Sequence, residues 1–141
     1  MTDTRLGGPA VHLPGRPDPP GTIGDGGLWT SASDLIRWLQ ACNRSVFGPE
    51  VHQLAESTTT LADGSPLDYA WGIRVTEAPG GRIISHGGSW DRWLAKTVRI
   101  PEQHVAVAVL SVGASESQVS QTGTDLAAMI TSHRPSVERR S

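Results

Sequence analysis

The stretch Leu94-Ala95-Lys96-Thr97-Val98-Arg99-Ile100, with the turn Pro101-Glu102-Gln103 and the run Val105-Ala106-Val107-Ala108-Val109-Leu110-Ser111-Val112 behind it, decides the fold. Its first segment alternates, the period-two signature of a strand with one buried face. The second is apolar at both parities, so it is expected to be the central strand of a sheet covered on both sides. Upstream, Trp71, Ile73 and Val75 alternate with Ala70, Gly72 and Arg74. That pattern predicts another half-buried strand beginning near Tyr69. Ala78-Pro79-Gly80-Gly81 then supplies a turn, and Arg82 to His86 returns as the second arm of a hairpin.

Helices flank this core. Ser31-Ala32-Ser33-Asp34 carries an N-cap serine and an acidic residue in the first turn, where the helix dipole favours negative charge. Leu35, Trp38, Leu39 and Cys42 follow at helical spacing, predicting a helix that ends near Asn43 to Ser45. Pro49 suits the first turn of a shorter helix reaching about Glu56. After the strands, Val119, Leu126, Met129 and Ile130 predict a helix over about Glu116 to Ser132, although Gly123 in its middle costs about 1 kcal/mol relative to alanine. Residues 1–23 are a Pro/Gly-rich arm, residues 24–132 the folded unit, and residues 133–141 a polar tail. The expected class is α+β: an antiparallel sheet of about four strands with flanking helices.

Composition excludes several functions. The chain has 141 residues, 12 Lys plus Arg against 14 Asp plus Glu, and a formal charge of −2. No basic patch points to nucleic acid, and no apolar run is long enough to span a membrane. The start, Met1-Thr2-Asp3-Thr4-Arg5, lacks the basic and apolar regions of a secretory signal, making the cytoplasm the default expectation. The one cysteine, Cys42, cannot form an internal disulfide. The histidines His12, His52, His86, His104 and His133 contain no i, i+4 pair, so neither a metal nor another cofactor is expected. Gly24-Asp25-Gly26-Gly27 precedes no Gly-Lys-Ser/Thr and reads as a turn. No serine sits in a Gly-x-Ser-x-Gly elbow.

One local feature could carry chemistry, namely Ser85-His86-Gly87-Gly88-Ser89-Trp90 at the end of the returning strand. Successive glycines let a ligand or another backbone approach a strand closely. His86 could then offer a proton, a hydrogen bond or positive charge beside that edge. The alternative for the hexapeptide alone is a glycine-rich turn bearing a surface histidine.

In this context the sequence resembles the serine β-lactamase-like family: class C β-lactamases, low-molecular-mass penicillin-binding proteins (DD-peptidases) and related esterases. The resemblance rests on Gly24-Asp25-Gly26-Gly27-Leu28-Trp29-Thr30-Ser31-Ala32-Ser33-Asp34-Leu35, on Tyr69-Ala70-Trp71-Gly72-Ile73 and on His86-Gly87-Gly88. These stand in family order over about residues 24–132. The resemblance implies that His86 and Ser89 take catalytic roles. His86 would orient the substrate and assist proton transfer, and the Ser89 backbone N–H would be one oxyanion donor. Gly87, Gly88 and Trp90 would bind substrate, with Asp91 and Trp93 also at the rim.

Two family motifs are missing. Ser-x-x-Lys requires a lysine three residues after a serine, yet the one lysine, Lys96, follows Trp93 at that spacing. Tyr/Ser-x-Asn fails likewise, because Ala41 stands two residues before the one asparagine, Asn43. The chain is therefore expected to be the C-terminal part of such an enzyme. Its partners would be a small-molecule or peptide acyl substrate and the N-terminal half of the domain. Alone it would be inactive and prone to aggregation through an open sheet edge and apolar helix faces. The competing expectation is a non-catalytic binding or scaffold module on the same fold.

Overall fold

The computed structural model describes residues 26–133, so the arm expected at 1–23 and all but His133 of the expected tail lie outside the described residues. Helix α1 (Ala32–Asn43) and helix α2 (Pro49–Ala55) come first. Strands β1 (Arg74–Ala78), β2 (Gly81–Trp90), β3 (Trp93–Ile100) and β4 (Val105–Val112) follow, then helix α3 (Glu116–Ser132). The four strands pair in the order β1-β2-β3-β4, each neighbour antiparallel. This is the α+β meander that the alternation predicts.

Two of the strand expectations need correcting. Val105–Val112 is the outer strand of the described sheet, not its centre. It is apolar at both parities because helices cover both of its faces. Val105 and Val107 join Val98, Ile100 and Ala127 in the core beneath α3, while Asn43 at the end of α1 donates from Nδ2 to the Val105 carbonyl at 2.9 Å. The first strand begins at Arg74, not near Tyr69. Gly72, at φ +75°, turns the chain there, with Ala70 N–H bonded to Ile73 O at 2.8 Å. Trp71 consequently stands out in solvent.

Helix α1 starts where its cap predicts, the Ser31 hydroxyl accepting the Asp34 N–H at 3.1 Å. Its inner face carries Leu39, with Ile36 and Cys42 half-buried. Trp38, expected inside, is exposed and packs on Phe47 with ring centroids 5.1 Å apart. In α3 the buried line is Val119, Gly123 and Ala127, whereas Leu126, Met129 and Ile130 remain exposed. Small residues at i, i+4 and i+8 let α3 lie close on the sheet. A methyl group on Gly123 would come within 2.7 Å of the Lys96 Cγ, so this glycine offsets its helix-propensity cost by admitting the lysine stem.

A buried ion-pair network binds the two halves of the chain. Glu56, just past α2, contacts Arg99 of β3, and both side chains are almost fully buried. Arg82 of β2 adds a second contact to Glu56 at 3.0 Å and pairs through Nε with Glu102 at 3.0 Å. Asn43 accepts a further hydrogen bond from Arg99 at 3.4 Å.

Removing one partner of a buried pair leaves an uncompensated charge, at a cost of about 3–5 kcal/mol. Glu56→Ala should therefore lower stability by that amount in urea denaturation, and Glu56→Leu combined with Arg99→Met should recover most of it. Gly123→Ala should fail to stabilise despite its gain in helix propensity, because overpacking costs about 1–3 kcal/mol. Adding Lys96→Ala should restore the melting temperature.

Candidate active site

The expected site residues lie on β2, and the register defines their surroundings. β1 pairs with β2 only from Ala78↔Gly81 to Arg74↔Ser85. Beyond Ser85, residues His86 to Trp90 pair with β3 on one side, from His86↔Thr97 to Trp90↔Trp93. Among the described residues no strand pairs with the other side of residues 86–89. The strand runs on through the glycines to Trp90, four residues past the end expected from sequence, and a tight turn with Asp91 at φ +54° leads into β3.

Alternation along β2 sorts the side chains. His86, Gly88 and Trp90 face the same side as Arg99, the α1 side, while Ser85, Gly87 and Ser89 face α3. His86 is exposed, and its Nε2 lies 3.2 Å from the Tyr69 hydroxyl, one of the two sharing its proton with the other. Its backbone carbonyl accepts from Thr97 Oγ1 at 3.3 Å. Lys96 lies on the opposite face, donating from Nζ to Ser85 Oγ at 3.3 Å. Burial, and then the charge of Arg74, lowers its pKa below the usual lysine value. The one lysine is thus separated from His86 by the sheet itself.

Neither glycine is required by the fold. Both lack the positive φ that favours glycine. A Cβ on Gly87 would meet only the Ala95 carbonyl oxygen at 3.6 Å, and one on Gly88 only the Ala95 Cβ at 3.8 Å, both ordinary contacts. A glycine inside a strand nevertheless costs roughly 0.5–1 kcal/mol relative to alanine. Two in succession leave bare backbone at the open edge beside His86.

Tyr69 is the member of this cluster that sequence reasoning did not assign to the site. It sits in the turn where a strand was expected, seventeen residues before His86. That turn is fixed by Val75 N–H bonding Asp68 O at 2.8 Å, by the Arg74–Asp68 ion pair and by Trp71 N–H bonding Ala55 O at 3.3 Å. Among the described residues no cluster of His, Cys, Asp and Glu could hold a metal ion, and no helix is long and apolar enough to cross a membrane.

A four-stranded antiparallel sheet with helices on both faces is the α+β arrangement of a β-lactamase-like fold. Comparison with known families agrees: residues 2–130 match the family described as Beta-lactamase, and the chain belongs to that family. It is 28% identical over 89 residues to a D-aminopeptidase of Brucella ovis, covering 62% of this chain and 17% of that protein. The D-aminopeptidase of Brucella abortus matches to the same extent. A penicillin-binding protein of Bacillus subtilis is 29% identical over 103 residues, 72% of this chain and 23% of that protein. The chain therefore spans less than a quarter of the length of these curated relatives.

Tyr69→Phe removes the hydroxyl that meets His86 and leaves the backbone bonds of the turn in place. An exposed hydrogen bond contributes about 1 kcal/mol at most, so the melting temperature should barely change. The Nε2 resonance of His86 should move in long-range proton–nitrogen spectra while that of His104 stays. An unmoved His86 resonance would show that the pair does not form in solution.

Proposed function

We propose that this chain acts as the C-terminal part of a serine acyl-transfer hydrolase, supplying the substrate-binding strand and not the nucleophile. The observation that carries the reading is the open edge from His86 to Ser89, where two glycines that the fold does not need leave the backbone accessible. An extended acyl substrate lies along that edge as an added strand, held by main-chain hydrogen bonds. The Ser89 N–H then donates to the oxyanion that forms during attack, a contribution that grows with the developing charge. His86, steadied by Tyr69, orients the substrate and assists proton transfer. Gly87, Gly88 and Trp90 form the contact surface.

The activated serine and its lysine come from a segment outside this chain. Without them, positioning groups provide only residual catalysis. The substrates are acyl compounds of the kinds the family handles, namely β-lactams, peptides ending in D-Ala, and esters. Similarity to proteins named D-aminopeptidase favours substrates that contain D-amino acids.

The purified chain should give no turnover of a chromogenic β-lactam or a p-nitrophenyl ester. Co-expression with an upstream segment carrying Ser-x-x-Lys and Tyr-x-Asn should produce turnover that His86→Ala lowers at least tenfold. Turnover by the chain alone that His86→Ala abolishes would overturn the division of labour.

A further inference from the structure

On the α1 side of β2 the side chains alternate as His86, Gly88 and Trp90, so the outer two stand about 13 Å apart along the strand. Between them Gly88 offers no side chain, and its partner across β3, Ala95, offers a methyl group. This is a slot with a floor of glycine and alanine. One end is closed by His86 and Tyr69, whose rings lie 6.4 Å apart between centroids. The other end is built from indoles. Trp90 pairs with Trp93 across the hairpin, and Trp29, in the segment leading to α1, meets Trp93 edge-on with centroids 5.6 Å apart at 80°.

All three indoles are part-exposed, at 42% for Trp29, 49% for Trp90 and 36% for Trp93. Indoles left this accessible at the end of a bare strand segment form a ready apolar contact surface. The nearby cation is turned away, since Arg92 lies against Gly113 at the end of β4, its Nη2 3.0 Å from where a Cβ on that glycine would stand.

We propose that this slot selects acyl substrates bearing an uncharged aromatic side chain, which lies over Gly88 and Ala95 with its edge against Trp90 and Trp93. The inference rests on the proposed role of the His86–Ser89 edge and names the substrate class that edge prefers. An aromatic ring set edge-on against the indoles gains more than its buried area alone. Together with that area, the preference over a methyl side chain is about tenfold in affinity.

The test is calorimetric titration of the full chain with N-acetyl-D-phenylalaninamide, N-acetyl-D-alaninamide and n-butylammonium. The phenyl compound should bind about tenfold more tightly than the alanine compound and quench tryptophan fluorescence. Trp90→Ala and, separately, Trp93→Leu should each reduce that ratio towards one, with circular dichroism confirming that the variants are folded. Gly88→Val should abolish binding of both amides. Equal binding of the two amides, blocked by Gly88→Val, would overturn the aromatic preference and leave the strand reading standing. Tighter binding of butylammonium would overturn it in favour of a cation site. Failure of both amides to bind would overturn the strand reading together with the slot.

Discussion

The constraint on which most of this structure depends is the burial of the Glu56 carboxylate. A carboxylate removed from water must be paired, and here the partners come from two strands, Arg99 on β3 and Arg82 on β2. Satisfying that one charge ties the end of α2 to β2 and β3, beside the direct packing of α1 on β4. The consequence reaches the site. Ala55, the residue before Glu56, holds Trp71 through its carbonyl, and the turn containing Trp71 presents Tyr69 to His86. The geometry at His86 is thus partly set by an ion-pair network centred at the end of α2.

The site is defined as much by what is missing as by what is present. β1 stops pairing at Ser85, and the next residues lose first a neighbouring strand and then their side chains. Strands with an open edge usually carry charges or proline to discourage pairing. This edge carries glycine instead, at positions where alanine would fit. Neither glycine is needed for packing or for backbone conformation, so the strand backbone there is bare without any gain in stability.

Much of the fold was legible in the sequence because several signals agreed locally. The Ser31 cap with its helical spacing gave α1, and the apolar run Val105 to Val112 gave β4 to the residue. What failed were inferences from pattern alone. An apolar run at both parities says that both faces are covered, and says nothing about whether strands lie on both edges. Alternation through Trp71 and Ile73 imitated a strand because Gly72, the residue that turns the chain, occupies a polar slot in that pattern. In α3 the large apolar residues drew attention from the small ones, yet close packing made Val119, Gly123 and Ala127 the buried line. The His86-Gly87-Gly88 segment that nominates the candidate site is visible as a motif. Its partner Tyr69 lies within the segment Tyr69 to Ile73 that resembles the family, but no rule of spacing connects residues joined only by a turn and a hairpin.

The meander also governs how the chain reaches its native state. Each strand pairs with its neighbour in sequence, so the loops to be closed are short and their entropic cost is low. The contact of α1 with β4 is different: Asn43 and Val105 are separated by 62 residues. Pairing the strands closes short loops, whereas docking α1 on β4 closes a separation of 62 residues at a higher entropic cost. That docking also brings Asn43 of α1 to the Arg99 guanidinium, so the long-range contact serves the buried charge as well as the core.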